Sequence, residues 1–196
     1  MGNVSKKIYS IRKDHGQTQL LSGERVSKDH ERMKACGSLD ELQSHLGLAR
    51  CFNRQEPIQS ILSAVQADIL VASSELASTS STKAQLKRRI REEDAGRLEA
   101  WIDDLTASFG LPEHFVLPGR STDSASLHVA RAVARRCERI IVTLNRKAGG
   151  FDKLVVYFNR LSDLLFVAAW SREVTADLEE MVQETIVSAM AEGNDR

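Results

Sequence analysis

Net charge is the first thing this chain lacks. It carries 27 lysines and arginines against 27 aspartates and glutamates over 196 residues, which disfavours nucleic-acid binding through bulk positive charge. Any anion has to be met locally. Cysteine is scarce as well: Cys36, Cys51 and Cys137 are spaced too widely for a paired metal motif and are too odd in number for a closed disulfide framework. A reducing compartment fits that usage. Long apolar runs are missing, since none approaches the ~18 residues of a membrane span. The opening MGNVSKKIYS has no apolar signal core, and Lys6 stands where a myristoylation signal needs Ser or Thr. A soluble, cytoplasmic chain is therefore expected, with neither membrane nor nucleic acid as a partner. Strand-like alternation is almost absent too, which leaves helix.

The length suits a single domain with a real core, and the periodicity predicts an all-α fold. Ser38 to Glu41 reads as a capping box after Gly37, opening a helix through about Cys51 with Leu39, Leu42, Leu46 and Ala49 as its stripe. Pro57 suits a first helical turn, and Ile58, Ile61, Leu62, Val65, Ile69, Ala72 and Leu76 follow at helical spacing. Ser78 to Arg91 is polar, then basic, and reads as a mobile connection whose second half could extend the next helix. Glu92 to Phe109 carries Leu98, Trp101, Ile102 and Leu105, and Gly110 with Pro112 stops it. A fourth helix opens near Ser121 to Asp123. A fifth starts near Phe151 and is apolar on almost every side from Leu161 to Trp170, as for a helix surrounded by others. Beyond it, Leu178, Met181, Val182, Thr185, Ile186 and Ala189 share one face of a further amphipathic helix, either packed on its own bundle or offered as a docking surface.

The fourth helix contains HVARAVARRCERIIVTL, from His128 to Leu144. At ~100° per residue, Arg131, Arg135 and Glu138 share a side flanked by His128 and Arg139. Ala130, Val133, Cys137, Ile140, Ile141 and Leu144 form the apolar stripe opposite. The polar side is either an ordinary solvated face or a seat for an anion, a phosphate chain or a neighbouring subunit's carboxylate, both of which suit planar guanidinium forks. Residues 8 to 28, IYSIRKDHGQTQLLSGERVSK, are a different kind of text, with Gly16 and Gly23 and little helical periodicity. Such a stretch is either a floppy arm or a loop whose backbone N–H groups wrap phosphate.

Three motifs in order carry more than their parts. IYSIRKDHGQTQLLSGERVSKDHERMKACGSLDELQSHLGLAR, FVLPGRSTDSASLHVARAVARRCERIIVTL and VVYFNRLSDLLFVAA resemble the signatures of the PduO-type ATP:cob(I)alamin adenosyltransferases, over roughly residues 8 to 172. The resemblance implies a five-helix bundle, ferritin-like or cobalamin adenosyltransferase-like, assembled as a homotrimer with ATP between subunits. It divides the single domain, residues 1–196, into an N-terminal ATP-binding loop segment at 1–37, a bundle core at 38–172 and a C-terminal helical extension at 173–196. It also implies transfer of the 5′-deoxyadenosyl group of ATP to the cobalt of cob(I)alamin, giving adenosylcobalamin and triphosphate.

Cobalt(I) is itself a strong nucleophile, so such a reaction asks the protein for positioning, electrostatics and exclusion of water rather than for a base. The leaving triphosphate needs cations, supplied by Mg²⁺ carried with ATP and by arginine forks. The resemblance gives that work to Arg135, with Lys28 and the loop residues Arg12, Lys13, Asp14, Gly16 and Thr18 around the phosphates. Asp14 suits loop hydrogen bonding or Mg²⁺ placement. Asn159 is implied as an ATP contact, Asp163 as its companion toward cobalamin, and Glu138 as an ATP-site residue that orients Arg135 or Arg139. Phe115 matches the position whose ring fills the space below the corrin, excluding the lower axial ligand. Asp40 and Arg131 match an ion pair joining adjacent subunits. A corrinoid reductase and an adenosylcobalamin-dependent client enzyme are the implied protein partners, the latter for the C-terminal helix.

The chain departs from the pattern at three points. Arg12 and Lys13 precede Asp14 where relatives carry Thr-Gly, Arg120 replaces a glycine in PGR, and Leu21 to Gly23 reads LSG for FGG. The alternative function is a catalytically weak or inactive corrinoid or ATP sensor on the same fold; a ligand-free helical oligomer leaves the charged face unexplained.

Overall fold

The computed structural model describes residues 15–194. A hairpin of β1 (Gln17–Gln19) and β2 (Arg25–Ser27) precedes α1 (Glu31–Phe52), α2 (Ile58–Leu76), a one-turn α3 (Ser80–Lys83), α4 (Glu92–Phe109), α5 (Thr122–Ala148) and α6 (Asp152–Asn194). With α3 set aside, five helices make the bundle: α5 packs on both α1 and α6, α4 on α6, and α2 on α1. The core is filled by Leu42, Leu46, Leu62, Ile69, Leu98, Leu127, Ile141, Tyr157 and Phe158, all essentially inaccessible. Burial of these stripes is what stabilises the helices, since each alone would be marginal in water.

Several boundaries differ from expectation. The first helix begins at Glu31, two turns before the expected capping box at Ser38, so the division at residue 37 falls inside α1. Ala35 is fully buried and extends the Leu39, Leu42, Leu46 stripe upstream, and this burial offsets the ~1 kcal/mol that Gly37 costs in a helix interior. The true cap is His30, whose Nδ1 accepts from the Arg32 N–H at 3.2 Å. The segment 15–28 is a hairpin rather than an open loop. Its strands are antiparallel with Thr18 opposite Val26, Gly23 takes φ +82° at the turn, and the Leu21 N–H donates to the Ala77 carbonyl at 3.1 Å, docking the turn on the end of α2.

The connection from Ser78 to Arg91 is tied to α2 by polar contacts, and its basic end does not extend α4, which starts at Glu92. Two acids lie on the buried face of α2. Asp68 accepts from Arg88 at 2.9 Å, Arg97 at 2.5 Å and the Tyr157 hydroxyl at 3.0 Å. Glu75 accepts from Arg89 at 3.2 Å and from the Ile90 N–H. Buried carboxylates require such partners, so the basic run is the counter-charge for α2. Burial opposes ionisation of Asp94, yet the Arg91 N–H and the guanidinium of Arg88 hold its carboxyl below the usual range.

The C-terminal extension is not a separate helix. It continues α6 without a break, and residues 177–190 are all exposed, so its apolar face does not pack on the chain's own bundle. Met181 is 62% exposed and Met190 71%. One window of α6 is apolar enough to pass for a membrane span, but 61% of it is buried inside the bundle.

Candidate functional site

The α5 helix that carries the arginines is started by its own sequence. Ser121 and Ser124 cap it reciprocally, each side chain accepting from the other's backbone N–H, at 3.2 Å and 3.3 Å. Its apolar stripe is buried as expected except for the half-exposed Ile140. Burial pushes the Cys137 thiol up to about 12, and the thiol donates to the Ser38 carbonyl at 3.1 Å, so this cysteine is packing between α5 and α1 rather than chemistry.

The polar side of α5 divides into an upper and a lower part. Arg135 is exposed and, among the described residues, makes no ion pair. One turn on, Glu138 accepts from Asn159 Nδ2 of α6 at 3.3 Å. This corrects the expectation that Glu138 orients Arg135 or Arg139; its partner is the amide of Asn159. The Asn159 Oδ1 in turn accepts from Arg160 at 2.8 Å, and Arg160 bridges to Glu99 at 2.7 Å. Asp163 is exposed and 4.0 Å from Arg160. Arg136 pairs with Glu41 of α1. The fold thus brings Arg135, Glu138 and Asn159 to one flank of the α5/α6 seam.

Below them, Arg131 lies over the Phe166 ring at 5.9 Å, and His128 meets the same ring edge-on at 6.3 Å. Asp40 is exposed on α1, and among the described residues it makes no ion pair with Arg131. His128 was expected on the polar side, yet it is buried, with Nε2 3.2 Å from an oxygen of the equally buried Glu173. Burial, opposed by Glu173, lowers the His128 pKa.

The loop between α4 and α5 presents Phe115, which reads as core beside Val116 and Leu117 but stands completely exposed, with Leu117 88% exposed next to it. Two cavities flank this loop. One of about 650 Å³ is lined by the loop with His128, Arg131 and Phe166; the other, about 510 Å³, by the loop with Arg120, Trp170, Glu173 and Asp177. An exposed aromatic between two open, largely apolar hollows is the kind of surface a flat apolar ligand covers.

Of the remaining expected site residues, Gly16 takes φ +72° and its carbonyl accepts from the Lys28 N–H at 2.8 Å, so the two close the open end of the hairpin. Thr18 is half-buried on β1 and the Lys28 side chain is exposed. Arg12, Lys13 and Asp14 lie outside the described residues. Among those described, no group of three His, Cys, Asp or Glu side chains gathers to hold a metal ion.

The matched family is cobalamin adenosyltransferase, over residues 8–172. This chain belongs to that family. A corrinoid adenosyltransferase of Citrobacter freundii is 42% identical over 172 residues, 88% of this chain and 98% of that protein. The corrinoid adenosyltransferase PduO of Salmonella typhimurium is 38% identical over 177 residues, which are 90% of this chain and 53% of that protein. This chain thus spans about half the length of that relative. Among solved structures, a phenylalanine-to-alanine variant of the PduO-type ATP:corrinoid adenosyltransferase of Lactobacillus reuteri, complexed with cobalamin and ATP, superposes with TM-score 0.78 at 29% identity, covering 85% of this chain and 93% of that one. An arginine-to-lysine variant of the same enzyme, complexed with ATP, gives TM-score 0.77 at 30% identity, covering 85% of this chain and 94% of that one.

Sequence reasoning missed the His128–Glu173 pair, the Arg120 contacts with α6 described below, and the Asp68 network. The last had a signal: Asp68 and Glu75 interrupt the apolar stripe of α2 at core positions, and two buried acids demand nearby cations.

Proposed function

We propose that this protein transfers the 5′-deoxyadenosyl group of ATP to cob(I)alamin, forming adenosylcobalamin and releasing triphosphate. The observation that carries the reading is the Glu138–Asn159 hydrogen bond between α5 and α6 beside Arg135, which makes no ion pair among the described residues, together with the exposed Phe115 on the loop that forms a hollow with His128, Arg131 and Phe166, in a chain of this family.

Cobalt(I) attacks C5′ with its electron pair, the C5′–O bond breaks, and the triphosphate leaves with that bond's pair. The charge gathered on the leaving oxygens is met by Arg135, whose fork has no competing carboxylate in the described chain. Mg²⁺ travels with the nucleotide's phosphates. Glu138, held by Asn159, fixes the amide that positions the nucleotide, and Arg12, Lys13, Asp14, Gly16, Thr18 and Lys28 close over the phosphates. Phe115 occupies the lower face of the corrin, where it denies cobalt an axial ligand, and Asp163 faces the same ligand. Asp40 of one subunit pairs with Arg131 of the next, so the complete site belongs to a homotrimer. The protein works in the reducing cytoplasm, receives its electron from a corrinoid reductase and hands its product to an adenosylcobalamin-dependent client.

Anaerobic incubation with MgATP and chemically reduced cobalamin tests this. Adenosylcobalamin and triphosphate in equal amounts are expected. Tight binding of both ligands without product would replace the enzyme by a sensor, and a chain that sediments as a monomer while turning over would remove the shared site.

A further inference from the structure

The glycine-to-arginine departure at Arg120 has a partner set on α6. Arg120 Nε donates to Asp177 Oδ1 at 2.6 Å, and its NH2 group donates to Glu180. Glu173, Asp177 and Glu180 stand at i, i+4 and i+7, one face of the α6 continuation. That face is the one turned to the Phe115 loop, since Glu173 and Asp177 line the 510 Å³ cavity with Phe115 itself. The stripe starts with a buried bond to His128 of α5 and ends with the exposed grip on Arg120.

The loop has little else to hold it. Among the described residues, none from Leu111 to Arg120 makes a backbone hydrogen bond to another element, and Arg120 alone among them makes a side-chain hydrogen bond. Isolated exposed ion pairs are worth little. Here one planar guanidinium takes two carboxylates one turn apart on the same helix, and among the described residues no other polar side-chain contact fixes the loop.

Resting on the adenosyltransferase reading, we propose that Arg120 is a positioning residue for the corrinoid: by gripping Asp177 and Glu180 it turns the C-terminal part of α6 into a strap that sets where the loop holds Phe115. Such a role affects only one of the two substrates, which separates it from a loss of folding.

Steady-state kinetics with cob(I)alamin and ATP varied separately decide it. Arg120→Gly is expected to raise KM for cob(I)alamin roughly fivefold, the range of one or two such pairs, with KM for ATP within about twofold. The EPR signal of cob(II)alamin lacking an axial ligand, measured with ATP bound, should weaken in parallel. Arg120→Lys should recover part of the effect, and Arg120→Glu combined with Asp177→Lys and Glu180→Lys most of it. An unchanged KM for cob(I)alamin in Arg120→Gly, equal changes for both substrates, or no recovery on charge reversal overturns the proposal. Should Arg120→Gly not fold, Asp177→Asn with Glu180→Gln, both exposed, carries the same test. A parent chain that binds but does not turn over overturns the activity reading instead, and the Arg120 proposal is then decided by the EPR titration alone.

Discussion

Replacing Arg135 separates chemistry from folding. The side chain is exposed and among the described residues it makes no ion pair, so Arg135→Ala leaves no carboxylate stranded and no cavity. Stability should stay within about 0.5 kcal/mol, the usual range for surface changes. On the proposed mechanism the same guanidinium meets the oxygens of the departing triphosphate. Loss of one preorganised donor to developing oxyanion charge costs about 2.7–4 kcal/mol, a fall of roughly 10²–10³ in kcat. Arg135→Lys keeps the charge and loses the fork, so it should lie between, at roughly tenfold or more below the parent. Loss of cob(I)alamin absorbance under anaerobic conditions gives kcat and both KM values, and a urea midpoint from helical circular dichroism gives stability. A kcat within threefold of the parent would refute the assignment. So would a urea midpoint that falls in step with activity, since the residue would then be holding the assembly together.

Phe115→Ala should likewise leave the urea midpoint unchanged, because a fully exposed ring contributes no burial, while turnover drops and the EPR signal of cob(II)alamin without a lower ligand disappears; retention of that signal sinks the role given to the ring. Asp68→Ala removes a carboxylate whose side chain is 2% exposed and leaves the Tyr157 hydroxyl without its acceptor. Arg88 and Arg97 reach solvent and keep Asp94, so the low end of a broken buried pair applies, about 3 kcal/mol, or roughly 6–12 °C in Tm for a chain of this size. A shift under 2 °C by calorimetry would show that the network is dispensable. The buried His128 has a pKa below its ordinary 6.5. Below that pH the unfolded chain binds a proton that the folded chain resists, so stability is present in full above 6.5 and falls as pH drops toward the folded value. His128→Gln should flatten the loss between pH 7.5 and 5.5 in urea titrations, and an unaltered slope there would place the acid sensitivity elsewhere.

Local pattern alone determined much of this protein. The stripes on α2, α4 and α5 were legible because burial of one helix face imposes a 3.6-residue period, and the Ser121 cap and the Gly110 stop of α4 are chemistry within a few residues. The arginine ladder of α5 was legible for the same reason, and the three motifs marked the family before any geometry was known. Tertiary structure decided what lies across elements. A three-residue strand such as Gln17–Gln19 is too short to show alternation, so the hairpin exists only because β2 and the end of α2 receive it. The start of α1 was hidden by Gly37, whose cost is local while the burial of Ala35 that outweighs it comes from neighbouring helices. Glu138 meets Asn159 across 21 residues, and Arg120 meets Asp177 across 57. No spacing rule reaches that far, because such partners are chosen by how helices lie side by side, and a charge on one helix takes whichever opposite charge the packing delivers to it.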